Sequence, residues 1–280
     1  MGLFGRRAGA YGGARGGRRM SGGRLKIMLV LGLIYAGYHV LTYYSKSELN
    51  PYTGQNQRIG INQDQEIALG LQSAPHMERQ HGGQHPDAKA QAYVDTVGNK
   101  LVQNSIAATS GYQFNFHLLA DPQTVNAFAL PGGQVYITQA LFSRLQNEDQ
   151  LAGVLGHEIG HVLARHGAQR IAKDQLTKGL TSAAVLVTGD YSAGQMAAMI
   201  GSVVGMKYGR GQELESDDLG IKMMLKAGYN PEEMIGVMEI LKKASGGGGS
   251  KQPEFFSTHP NPENRVEKIR ESIRKYSNLN

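Results

Sequence analysis

The sequence predicts an α+β protein, mostly helical with a small antiparallel sheet, preceded by one N-terminal membrane-spanning helix. Three observations carry that prediction. Residues 27–44, IMLVLGLIYAGYHVLTYY, form an uncharged run of 18 residues. As a helix it covers roughly 27 Å, close to the hydrocarbon thickness of a bilayer. Beyond residue 63 most apolar residues recur at three- and four-residue spacing, the period of an amphipathic helix. Two short apolar runs flank Pro131-Gly132-Gly133, a turn signal between strands.

Taken in order, residues 1–25 hold nine glycines and six arginines and too few bulky apolar side chains for a core. They read as a disordered tail. The anchor occupies 26–44, with Tyr43, Tyr44 and Tyr52 at the level of an interfacial aromatic belt. No small-x-small cleavage site follows Val40, which disfavours a cleaved signal peptide. Within the run only His39 and Thr42 are polar, which disfavours a buried soluble helix. The basic flank stays in the cytoplasm and places the rest of the chain across the membrane. In a bacterium this means the inner membrane with the domain in the periplasm. An Arg-rich, acid-free start also suits a mitochondrial presequence, so the mitochondrial inner membrane is the alternative.

A polar linker covers 45–62 and one domain covers 63–280. Residues 64–79 and 87–104 read as amphipathic helices, and Phe114, Phe116 and Leu118 alternate as in a strand. Strands follow at 126–130 and 134–138. Asn147 opens a long helix, with Gln150 completing a capping box. Residues 180–188 and 196–206 are apolar but too short to span a bilayer, and are expected to pack on the domain or rest on the membrane surface. Helices are expected near 212–227 and at 231–245, then a flexible GGGGS loop at 246–250, then a helix starting at Pro262 behind Asn261. His76, His81 and His85 fall in a polar stretch that reads as a loop.

Lys and Arg total 29 against 23 Asp and Glu. Seven of those basic residues precede residue 27, and no acid appears before Glu48, so the remainder is near neutral. A nucleic-acid-binding body would carry the surplus on its folded part, and that class is excluded. There is no cysteine, so a metal site must use His, Asp and Glu.

Residues 157–161 read His-Glu-Ile-Gly-His inside the long helix. Positions i and i+4 share a helix face, so His157 and His161 can grip one zinc ion. Glu158 lies beside them, placed to take a proton from an attacking water. Gly156 and Gly160 each cost roughly 1 kcal/mol of helix propensity, which a close approach by another element would explain. His166 is about 140° out of phase with His161, so it reads as a helix-end residue facing the last carbonyls. Residues 213–218 supply four carboxylates on another helix. Glu213 is assigned to the metal, while Asp217, on the same face, accepts the spare ring proton of His157. Glu215 points away, and a solvated acidic helix start is the competing reading.

The HEIGH pentad, the ELESD stretch and the later STHPNPENR segment together resemble metallopeptidase family forty-eight, which includes the HtpX, BepA and mitochondrial overlapping-activity proteases. EIALG, YVDTVGNKL and NAFALPGGQVYIT extend the likeness over roughly residues 64–275. The resemblance implies a zincin-like (gluzincin) metalloprotease domain binding one zinc ion per subunit. It implies His157, His161 and Glu213 as ligands, Glu158 as base and Asp217 as the acid behind a ligand. It also places His259 and Arg265 near the metal, stabilising the oxyanion or gating the site. Ser216 and Asp218 depart from the family's usual Ala and basic residue, and the single membrane segment departs from its multi-spanning branches.

The expected activity is zinc-dependent hydrolysis of unfolded or extended polypeptides, in quality control of misfolded envelope or membrane proteins. Asn126, Ala127 and Phe128 are expected to form an exposed edge strand to which a substrate adds through its main chain. The partners expected are such polypeptides and, through the N-terminal helix, the membrane. The rival reading is a chaperone-like peptide-binding protein whose zinc site is plugged by His259 as a fourth ligand.

Overall fold

The structure, a computed structural model, describes residues 22–188, 208–245 and 253–278. From the apolar helix to the domain the described chain follows one continuous path. Helix α1, Gly22–Ser45, contains the apolar run and leaves most of it bare. It passes directly into a hairpin, β1 Ser47–Leu49 and β2 Asn56–Arg58, paired antiparallel. Residues 45–62 are therefore a folded part of the domain and not a linker. Asn50 is fully buried there, and its Nδ2 donates to the carbonyl of Leu163, 2.9 Å away. That bond satisfies a carbonyl which the end of the HEIGH helix would otherwise leave unpaired.

Helix α2, Gln63–Gln80, begins with a capping box between Asn62 and Gln65. It contains His76 and ends at a buried His81, which bonds Asp121, so this histidine stretch is not the loop expected. Helix α3, Ala88–Gln103, is capped by Asp87 and buries Val94, Val97 and Leu101. Strands β3 Asn115–Leu119, β4 Ala127–Ala129 and β5 Gln134–Thr138 form a sheet in the order β3-β5-β4. The sheet is mixed, which corrects the all-antiparallel expectation. β4 and β5 pair antiparallel across the Pro-Gly-Gly turn, but β3 runs parallel to β5. β5 is buried at every position and takes the centre, leaving β4 on an edge.

After a single turn, α4 Gln139–Phe142, helix α5 spans Glu148–Leu163 and is buried without interruption from Gln150 to Leu163. The Asn147 side chain accepts from the amide of Gln150, but Gln150 reaches back to the amide of Gln146 instead of closing the expected box. Around α5 pack α3, the sheet, α7 Arg210–Lys226, α8 Glu233–Ser245 and α10 Arg265–Ser277. Covered on every side, α5 is the central helix of the domain. Helix α6, His166–Thr188, leaves this core and runs along α1. Helix α10 starts three residues later than expected, behind Asn264. The tail before residue 22, the 196–206 run and the GGGGS loop lie outside the described residues.

Candidate metal centre

Helices α5 and α7 cross at their glycines. A Cβ on Gly160 would lie 2.7 Å from the carbonyl oxygen of Ser216, and one on Gly156 would lie 3.4 Å from Gly220. This contact explains the glycines' cost and brings the first turn of α7 under the HEIGH face. Short helix α9, Glu254–Thr258, then delivers His259 to the same point.

Four side chains, His157, His161, Glu213 and His259, converge there, all buried. His157 Nε2 lies 3.0 Å from His161 Nε2 and 3.4 Å from Glu213 Oε2. His161 Nε2 lies 3.5 Å from Glu213 Oε1. His259 Nδ1 lies 3.2 Å from Glu213 Oε1 and 3.4 Å from His157 Nε2. Donors about 2.0–2.2 Å from a tetrahedral zinc ion would stand roughly 3.3–3.5 Å apart. The set fits that ion.

Charge gives a second, separate indication. Glu158, Glu213 and Asp217 are all buried, and Arg265 is the buried cation packed among them. Three carboxylates against one guanidinium leave an excess of negative charge, which a proton on His157 offsets in part and a divalent cation would balance in full. Orphaned atoms give a third. Among the described residues, both oxygens of Glu158, Glu213 Oε2, His259 Nε2 and Arg265 Nη1 are buried without a hydrogen-bond partner.

The rings are held from behind. His157 Nδ1 donates to Asp217 Oδ1 at 2.7 Å, leaving the Nε2 lone pair to face the other donors. Arg265 Nε and Nη2 donate to Asp217 at 2.7 and 2.8 Å, and its Nη1 lies 3.3 Å from Glu213. His161 is held in the same manner by residues the sequence reading set aside. Its Nδ1 lies 2.8 Å from His166 Nδ1, and His166 Nε2 lies 3.0 Å from Glu215 Oε2. His166 does stand at a helix end, the start of α6, but its ring faces His161 and Glu215 and not the last carbonyls of α5. Arg165 between them has φ +55°, so the helix phase that put His166 out of reach does not run through this point. The only signal in the sequence is the histidine itself.

Tyr208 was also missed; its ring stacks on His161, with centroids 4.1 Å apart. No periodic pattern surrounds it. Phe255 stacks on His259 at 4.4 Å. Asn126 sits at the start of the edge strand, its Nδ2 3.5 Å from Glu254. The Phe255 amide donates to the carbonyl of Val125. Ala127 is buried like Asn126, and Phe128 is buried against Tyr136 in a small separate cluster, so the edge strand is not the exposed one expected: its side chains are taken up by packing on the sheet and on α9.

The protonation balance follows this packing. Burial opposes charge on His157, but Asp217 and Glu213 outweigh it and raise its pKa to about 9. Burial and the neighbouring His157, His166 and His259 push His161 well below the usual value. Burial raises Glu158. Glu213 is held well below the carboxylate range because His157 and His259 outweigh its burial.

The sequence profile of peptidase family M48 matches residues 88–273, which contain every one of these side chains. The chain belongs to peptidase family M48. M48 peptidases are zinc-dependent, in accord with the donor set. Its relatives include the beta-barrel assembly-enhancing protease of Yersinia pestis, 33% identical over 88% of this chain and 51% of that protein. The Escherichia coli protein of the same name is 31% identical over 87% of this chain and 51% of its own length. The mitochondrial metalloendopeptidase OMA1 of Saccharomyces cerevisiae is 28% identical over 89% of this chain and 75% of its own. The chain spans about half the length of the bacterial relatives.

Proposed function

We propose that this M48 chain is a membrane-anchored zinc endopeptidase that cleaves unfolded or extended polypeptides, with His157, His161 and Glu213 as its ligands. The convergence of these three donors beside an unpartnered Glu158 carboxylate carries the reading. Bound zinc supplies Lewis-acid polarisation of the scissile carbonyl and acidifies water. Glu158 takes the proton from the attacking water and passes it to the leaving amine. Asp217 and His166 hold the two imidazoles in the tautomer that presents Nε2. Arg265 acts through Asp217 and Glu213 as a positioning residue.

His259 occupies the fourth corner, where substrate must enter, with its Nε2 3.7 Å from Glu158. Helix α9 rests against Val125 and Asn126, where the edge strand begins. A peptide adding to that edge competes with α9 for the same main chain and lifts His259 away. The plugged, chaperone-like alternative shares this resting geometry but leaves a buried general base without a task. With α1 as the anchor, the domain lies in the periplasm of a bacterial inner membrane or, alternatively, on the mitochondrial inner membrane, a choice in keeping with one relative from a bacterium and another named as mitochondrial. Quality control of misfolded membrane or envelope proteins is the role that main-chain recognition fits.

Incubating the full chain in detergent with unfolded casein tests this. Wild type cleaves, Glu158→Gln keeps zinc but does not cleave, and His259→Ala cleaves faster. Equal cleavage by wild type and Glu158→Gln overturns the assigned base.

A further inference from the structure

Helix α6 changes character midway. Its first half carries Arg170, Lys173, Asp174 and Lys178, whereas Gly179–Thr188, GLTSAAVLVT, has no charge at all. The change falls beside α1. Gly179 packs against the His39 ring, and Ala183 and Val187 pack against Gly32, so the two helices run antiparallel. Gly32 lies about 18 Å along α1 from the domain end of the apolar run, somewhat past its middle. Glycine on both helices allows the close approach by which membrane helices pair.

We infer that Gly179–Thr188 is embedded in the same bilayer as α1, entering from the domain side and reaching about the middle of the hydrocarbon. This rests on the reading of α1 as a membrane anchor. The occupant of its outer face is lipid acyl chain. Leu180 and Leu186 are 40% and 42% exposed, continuing the bare apolar surface of α1, where Leu29, Val30, Leu33 and Leu41 are exposed. In water such a surface is costly, while among acyl chains it is matched. Polar and aromatic side chains mark the boundary: Tyr38, Tyr43, Lys46, Gln175 and Lys178 line the cleft between the helices. Lys178 can carry its amine back toward the headgroups on its four-carbon stem.

The ten described residues cover about 15 Å, half the hydrocarbon, and it is this stretch whose depth the inference concerns. Its consequence is positional. His166 opens α6 and holds His161, so the depth of α6 sets the height of the metal site, roughly 18 Å of helix above Lys178. A substrate would then be met close to the membrane surface.

The sequence has no cysteine, so single cysteines can be spin-labelled without background. Leu186→Cys, Leu180→Cys, Leu33→Cys on α1 and Leu71→Cys on α2 would be made in the full chain and reconstituted into phosphatidylcholine vesicles. Each label's collision with oxygen and with a water-soluble nickel chelate would be read, with zinc content as the folding control. Position 186 should be as oxygen-accessible and nickel-protected as 33, position 180 shallower, and position 71 aqueous. A deep 33 with an aqueous 186 overturns the inference and leaves the anchor standing. An aqueous 33 overturns both. A label at 186 shielded from oxygen as well as nickel shows protein, not lipid, covering the face and also overturns it.

Discussion

Two helix pairs in this chain approach closely where glycine leaves out a Cβ, and they end in opposite surroundings. At the α5–α7 crossing, Gly160 lies against the backbone of Ser216, and side chains seal the contact on every side. At the α1–α6 pair, Gly32 lies against Val187, and the outer faces carry exposed leucines. The first contact sets distances between metal donors. The second, under the inferred insertion, sets depth in a bilayer. The same local device serves precision in one place and adhesion in the other, and what surrounds it decides which.

The joint between the two pairs is Arg165. Its guanidinium binds Glu66 and Glu48 and donates to the carbonyl of Ile61, tying the hairpin after α1 to the end of α5. Arg165→Ala strands the buried Glu66 and should cost about 3–5 kcal/mol in urea unfolding. A loss under 1 kcal/mol would mean that the joint is incidental. Next, Gly160→Ala should lower stability by about 1–3 kcal/mol, although alanine is the better helix former, because the new methyl meets rigid backbone. Gly32→Ala meets the stiff Val187 side chain and the Ala183 carbonyl, so it should loosen the α1–α6 pair, which lies apart from the α5 core, and leave the domain's melting temperature unchanged. Equal effects would erase the contrast between the two crossings. His166→Ala should weaken zinc binding by roughly 10–100-fold in chelator competition, with the fold retained by circular dichroism.

The smallest effect lies outside both pairs, at Asp121. Burial pushes its carboxyl up, but bonds from Thr124, Gln123 and His81 win and hold it at about 2. Its folded value is depressed, so its stabilisation is complete above the unfolded value of about 3.9 and fades as pH falls through about 2. The urea midpoints of wild type and Asp121→Asn should differ constantly down to about pH 4 and converge below it.

The zinc-helix histidines, Glu213 and Asp217 were legible because each lies in an unbroken helix, where spacing alone fixes the face. His166 was not, because one residue at positive φ resets the phase. His259 carried little signal of its own, and the resemblance rather than spacing picked it out. The helices were legible from their period and caps, and the β4–β5 turn from Pro-Gly-Gly. The parallel β3–β5 pairing was not, since register between separated strands leaves no local mark. The hairpin at 47–58 read as a linker because its anchoring residues, Asn50 and Glu48, are polar and act through partners more than 100 positions away.

Counting metal per chain tests the central claim, that α5 and α7 share one zinc ion, most directly. Elemental analysis after dialysis should find one zinc in wild type and in Glu158→Gln, and almost none in folded Glu213→Ala. A full zinc complement in Glu213→Ala would contradict the claim.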